Sequence, residues 1–146
     1  MRAITICQPY AELILRGLKR VENRAWPTDY RGAILIHAGK SQKFFTPDNY
    51  GILIDEMAFG AVVGVAQLRG CIRYRPLRKL DPAVLEAWPW LENHEHCEGP
   101  YCWILEDVFR FPTIVPHRGM PGVFDVPAGL VATGLSQAME ARRASA

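Results

Sequence analysis

The sequence predicts a mainly β fold, a small barrel decorated by two or three helices, and three observations point to it. Several strand-length segments alternate or run apolar, glycine and proline punctuate them, and few segments follow a helical period. With 146 residues, 49% of them hydrophobic, the chain can bury one sizeable core, so a single domain over residues 1–146 is expected.

The elements follow in order. RAITI is a short alternating strand, and QPYAELILRG is a helix with Pro9 near its first turn and Gly17 as its stop. Tyr10, Leu13, Ile14 and Gly17 form its core-facing stripe, which leaves Glu12 and Arg16 for water. The segment up to Arg24 suits an extended edge strand. Strand parity there puts Arg20, Glu22 and Arg24 on one face and Lys19, Val21 and Asn23 on the other. Lys19 joins Glu22 only if the chain twists or bulges directly after Gly17.

GAILIHAGK reads as a central strand, apolar on both faces, with Ala33, Leu35 and His37 opposite Ile34, Ile36 and Ala38. His37 falls at its end beside Gly39, Lys40 and Ser41. TPDNYGILIDEM supports a helix through Ile52, Ile54 and Met57, with Thr46 as cap and Pro47 at the first helical position. GAVVGVAQL is a second buried strand whose glycines suggest close backbone approach or curvature. In YCWILEDVFRF, alternation places Tyr101, Trp103, Leu105 and Phe109 on one face and Cys102, Ile104 and Val108 on the other. PTIVPHRGMPGVFDVP supplies short strands broken by prolines, and PAGLVATGLSQAMEARR closes the chain as a helix running into a basic tail.

Net charge is +2 and the pI about 8.4, short of the basic balance that grips duplex nucleic acid by charge alone, so any such contact is local. Arg69, Arg73, Arg75, Arg78 and Lys79 form a stretch without acids, and Leu80 to Phe109 carries acids without Lys or Arg. The two stretches either polarise the surface or neutralise each other. The longest apolar run is far short of the ~20 residues of a membrane span, and MRAITICQPY lacks a signal-peptide core, so a cytosolic protein with no membrane partner is expected. Cys7, Cys71, Cys97 and Cys102 are too few and irregular for a disulfide scaffold.

Phosphate loops of the Walker or dinucleotide type and the Gly-x-Ser-x-Gly elbow are missing. HEHCEGPYC gathers His94, His96, Cys97 and Cys102, but it has no CxxC half-site and Cys102 sits in an apolar alternating strand. No metal and no cofactor are expected. His117 reads as part of an exposed turn, Trp103 as core, and Trp88 and Trp90 as anchors of the loop around Pro89.

The polar run RGLKRVENRAW is the candidate site. Lys19 and Arg24 offer donors for phosphate or a base carbonyl, Glu22 accepts from an exocyclic amine or fixes an arginine, and Gln8 does either. Tyr10 or Trp26 supplies a face on which a base can stack. Arg16 and Arg20 are left as solvated surface.

The run ITICQPYAELILRGLKRVENRAWPTDYRGAILIHAGK resembles the ASCH domain of the PUA-like superfamily. GAVVGVAQLRGC, GPYCWILEDVFRF and HRGMPGVFDVP agree with it in order, so the resemblance spans roughly residues 3–127. It implies a small β-barrel with helices at its rim, a cleft beside the first helix, and RNA binding. The family's polar signature maps onto Gln8, Pro9, Lys19, Glu22, Arg24 and the strand end at His37, with Lys40 beside it. The expected partner is single-stranded RNA or a nucleotide or nucleoside, bound in a polar cleft by Gln8, Tyr10, Arg24, Trp26, His37 and Lys40 around Lys19 and Glu22.

Two other functions fit the residues. One branch of the superfamily hydrolyses the amide of N4-acetylcytidine with a lysine, a threonine and a glutamate. Lys19 matches that lysine, but Glu22 stands where the threonine would be, so a hydrolase of a modified nucleoside or of RNA, with Lys19 and Glu22 as reacting groups, is the alternative. A protein-interaction module working through the basic 69–79 segment is the third.

Overall fold

Burial on both faces of one strand organises the molecule. In the computed structural model, which describes all of residues 1–146, the elements are β1 (Arg2–Ile6), α1 (Tyr10–Leu15), β2 (Val21–Arg24), β3 (Gly32–Ala38), β4 (Ala61–Arg73), α2 (Pro82–Ala87), β5 (Tyr101–Pro116), β6 (Val123–Asp125) and α3 (Ala128–Ala144). On one side of β3, Ile34 and Ile36 pack with Ile4, Ile6, Ala11 and Ile14 beneath α1. On the other side Leu35 packs with Ala3, Val62, Phe124 and Val131 beneath α3. The two-sided apolar pattern of β3 thus supports a helix on each face of the sheet.

The six strands lie in the order β2-β5-β4-β3-β1-β6, with β1 and β3 parallel and every other pair antiparallel. Arg24 Nη2 on β2 donates to the carbonyl of Thr5 on β1, 2.8 Å away, so strands near opposite ends of that order meet across the molecule. The sheet is therefore curled into a half-barrel with flanking helices, the architecture the sequence predicts. Its curvature uses the glycines of β4: a Cβ on Gly64 would lie 2.5 Å from the carbonyl oxygen of Phe109, and one on Gly70 would lie 2.5 Å from the Trp88 ring. No helix is long and apolar enough to cross a membrane.

Four local expectations are corrected. Glu12, expected in water, is only 3% exposed, because Arg110 reaches over α1 from β5 and clamps its carboxylate through both terminal nitrogens, while Arg16 Nε adds a third bond at 3.0 Å. The helix expected over TPDNYGILIDEM is replaced by two short 3-10 turns, Asn49–Gly51 and Ile54–Glu56. Tyr50 and Gly51 adopt φ of 58° and 78°, which no right-handed helix accommodates, although Thr46 Oγ1 still accepts from the Asn49 amide.

In β5, Asp107 has φ of 50° and interrupts the alternation, so Val108 joins the side of Trp103 and Leu105 while Phe109 joins Phe111 on the other. Pro112 does not break this strand. It lies between the pairs Gly64↔Arg110 and Val62↔Val115, where the β4–β5 register shifts and no ladder bond is required of it.

Helix α2 was not anticipated, yet its start is written in DP: Asp81 accepts from the Ala83 amide at 2.8 Å, and Pro82 opens the helix. The charged stretches are resolved in both senses. Arg69 is neutralised by Asp107 at 2.7 Å and Glu106 at 3.7 Å, whereas Arg73, Arg75, Arg78 and Lys79 line a separate groove.

Candidate nucleic-acid interface

Helix α1 ends in a turn that decides where Lys19 goes. Gly17, with φ of +77°, donates to Ile14 O, and the carbonyl of Leu13 then accepts from both Leu18 and Lys19 at 3.0 and 3.2 Å. The chain reverses within these residues, leaving Leu18 57% exposed and Lys19 only 4% exposed. This is the twist that strand parity required. Lys19 and Glu22 consequently line one cleft of about 280 Å³ with Tyr10, Asn23, Arg24 and Phe44.

The electrostatics of the cleft are unbalanced. The Lys19 ammonium stands 5.3 Å from the Tyr10 ring centroid and makes no hydrogen bond within the protein. Burial lowers its pKa below the usual lysine range, partly opposed by the carboxylates of Glu22 and Glu98. Burial likewise raises the Glu22 pKa, opposed by Arg24 and Lys19. Glu22 takes its direct bond from Arg24 Nη2 at 3.1 Å, so Lys19 and Glu22 interact through space rather than as a contact pair. Arg24 also leaves its Nε enclosed without an acceptor.

Asn23, which parity placed away from Glu22, holds the far wall. Its Nδ2 donates to the His96 carbonyl at 2.8 Å, and its Oδ1 accepts from the amides of Glu98 and Gly99 and from Cys102 Sγ at 3.0, 2.9 and 3.2 Å. Asn23→Ala is expected to destabilise the fold by about 2 kcal/mol and to free residues 96–99, read by chemical denaturation and amide exchange. His94 and His96 serve the same wall: His94 Nε2 accepts from the Arg20 amide at 3.0 Å, and His96 lines the cleft. His94, His96, Cys97 and Cys102 do not gather as a ligand set. Arg20, expected in solvent, stacks on Trp90 with its guanidinium carbon 3.9 Å from the ring centroid.

These imidazoles set a pH dependence. Burial, together with His96, holds His94 down to about 4, and burial also lowers His37 and His96 from the ordinary value of 6.5. The unfolded chain protonates them at a higher pH than the folded one does, so the stability these imidazoles govern is fully present above about pH 6.5 and is lost as pH falls toward 4. The melting midpoint is expected to drop by at least about 2 °C between pH 7 and pH 5, with His94→Gln showing a shallower decline.

The remaining predicted site residues divide. Gln8 is fully buried beneath the cleft rather than in its wall, donating to Ala58 O and accepting from the Glu12 amide, both at 2.9 Å, so neither end of its amide is free. Trp26 lines no part of the cleft. The residue is 46% exposed, with the Arg24 guanidinium 6.0 Å from its ring centroid, and its carbonyl accepts from Trp103 Nε1. The aromatic faces at the cleft are Tyr10 and Phe44, whose centroids are 5.5 Å apart.

His37 and Lys40 line a second, larger cavity of about 890 Å³, which shares Thr5 and Arg24 with the first. Both ring nitrogens of His37 are engaged: Nε2 donates to the carbonyl of His117 at 2.7 Å, leaving Nδ1 to accept from Thr5 Oγ1 at 3.1 Å. His117 is half-buried, stacked on Phe124, rather than in an exposed turn. Sequence reasoning missed Asn23, Phe44, His96 and Glu98 as cleft residues. The paired Phe44 and Phe45 within an otherwise polar loop were the readable signal.

Residues 4–113 match the model of the ASCH domain. The chain is 49% identical over 142 residues to the human protein Activating signal cointegrator 1, covering 83% of this chain and 21% of that one. The mouse protein of the same name is 49% identical over 35 residues. The chain thus spans about a fifth, or less, of the length of these relatives. Among solved structures, ZmASCH from Zymomonas mobilis, in an S128A mutant form, superposes with a TM-score of 0.55 at 14% identity, covering 93% of this chain and 94% of that one. The crystal structure of ASCH from the same organism gives 0.52 at 15% identity, covering 92% and 93%. At such identities the likeness is one of fold.

Proposed function

The chain belongs to the ASCH domain family, and from that premise we propose that it binds single-stranded RNA or a nucleotide, holding one base in the cleft around Lys19 and Glu22. ASCH domains have a PUA-like fold linked in general to RNA binding. The observation that carries the reading is Lys19: a residue 96% removed from solvent by its 4% exposure, with an ammonium no protein group accepts, placed in a concave wall. Such a group is costly to bury and gains when a ligand oxygen meets it.

The cleft's 280 Å³ lies at the lower edge of the roughly 300–1,000 Å³ typical of ligand sites, a size for one base rather than a duplex edge. Glu22 supplies the acceptor, Lys19 and Arg24 the donors, and Tyr10 and Phe44 the stacking faces. Titration calorimetry with short single-stranded RNAs and with nucleosides at moderate salt tests the proposal. Absence of affinity, or affinity unchanged by Lys19→Ala and Arg24→Ala, refutes it.

One observation favours a second reading, hydrolysis of an amide on a modified nucleoside. Burial moves the Lys19 and Glu22 pKa values toward neutrality from opposite sides, which suits a pair that exchanges protons with a substrate. Incubation with N4-acetylcytidine and with labelled RNA, followed by product analysis, separates turnover from binding. Turnover that survives Lys19→Ala removes this assignment.

A further inference from the structure

The two cavities that meet at Arg24 differ in charge. The Lys19 cleft mixes cations with Glu22 and Glu98, as a neutral base with donors and acceptors requires. The larger cavity is lined by Arg24, Lys40 and Arg118 and by no carboxylate. Its floor is backbone brought in closely: a Cβ on Gly119 would fall 2.8 Å from both His37 Cε1 and Thr5 Oγ1, and one on Gly60 would fall 2.7 Å from Lys40 Cε. Glycine at these positions lets the backbone seat directly against the His37, Thr5 and Lys40 side chains that line the cavity.

The loop that carries Arg118 and Gly119 is fastened at its start, while the amides that follow stay unengaged. The His117 amide donates to Gly60 O, and its carbonyl is taken by His37. The amides of Arg118, Gly119 and Met120, which follow, donate to no protein acceptor. Unengaged amides beside cations, with no acid opposite, are the chemistry of an anion site. A volume of about 890 Å³, near the upper end of the range typical of ligand sites, has room for a sugar-phosphate unit that the smaller cleft lacks.

We infer that the Lys40–Arg118 cavity is a phosphate subsite, continuous with the base cleft across Arg24, and that the ligand is therefore a nucleotide or nucleotide chain rather than a free nucleoside. The inference rests on the proposed base cleft and adds to it. Arg24 becomes the shared element: its Nη2 is spent on Glu22 and Thr5, which fixes the guanidinium between the two chambers.

The test titrates the intact chain with cytidine, its 3′- and 5′-monophosphates, a dinucleotide and a ten-nucleotide RNA, for the parent and for Lys40→Ala and Arg118→Ala. Both side chains are exposed and form no ion pair, so the variants are expected to melt within about 2 °C of the parent. Phosphate-bearing ligands are expected to bind at least about tenfold more tightly than cytidine, each variant to lose about tenfold on them, and cytidine affinity to stay put. The slope of affinity against salt for the RNA is expected to fall by about 0.7 per variant. A gain confined to a monophosphate supports a terminal-phosphate site, and a gain confined to the dinucleotide and RNA supports a chain phosphodiester. If cytidine binds and phosphate adds nothing, the subsite is wrong while the base cleft stands. If no ligand binds, both fall.

Discussion

Lys19→Met is expected to melt higher than the parent and to bind single-stranded RNA about 10- to 100-fold more weakly, the equivalent of one charge-assisted hydrogen bond of about 1.5–3 kcal/mol. The two effects have one cause. The parent folds with an ammonium that burial disfavours and that the carboxylates of Glu22 and Glu98 offset only in part, through space. A methionine of similar length fills the same space against Tyr10 without that penalty, a gain of about 1 kcal/mol or about 2–4 °C at this chain length. Thermal melting beside titration calorimetry reads both. A variant that binds normally, or that loses stability, shows that Lys19 serves the fold instead.

Trp103→Ala carries the largest expected loss of stability, about 3–5 kcal/mol by urea denaturation. Trp103 is 1% exposed and packs with Leu68, Leu105 and Ala66 in the core beneath α1. Its Nε1 also donates to the carbonyl of Trp26 at 3.2 Å, and its ring centroid lies 6.0 Å from the Arg24 guanidinium. The substitution therefore opens a cavity directly behind the wall shared by the two chambers. Trp103→Phe, which keeps most of the apolar volume and loses the hydrogen bond, is expected to cost about 1–2 kcal/mol and to weaken RNA binding through Arg24.

Periodicity revealed the parts of the fold that depend on short-range pattern. β3, β4 and the first half of β5 announce themselves because burial on both faces leaves long apolar runs, and α1 because an apolar stripe ends at a glycine. What escaped depends on groups distant in the chain or on single dihedral angles. Glu12 looked solvated because Arg110, its cover, lies 98 residues away. The flip between Leu105 and Phe109 turns on one left-handed residue, Asp107, for which aspartate is a permissive but not diagnostic choice.

The site divides along the same line. That Lys19 needed a twist after Gly17 to meet Glu22 was legible, since glycine is the residue that supplies a left-handed turn. That His37 and Lys40 fall into a separate chamber was not, because the loop carrying Arg118 returns to β1 and β3 from the far side of β5. Gln8 looked like a ligand donor because an amide is equally able to hold main chain, and here it holds Ala58 and the start of α1.

The two strands at the borders of the sheet are its shortest, four residues in β2 and three in β6, while the long β4 and β5 are enclosed. Open borders are where one molecule's strand can add to another's, and charged side chains discourage it. In β2 those charges are Glu22 and Arg24, so the side chains that line the cleft are also expected to discourage self-assembly along that border. Glu22→Val with Arg24→Val would turn VENR into an apolar, β-prone border, and faster light-scattering growth at elevated temperature than in the Lys19→Met variant is the expected sign.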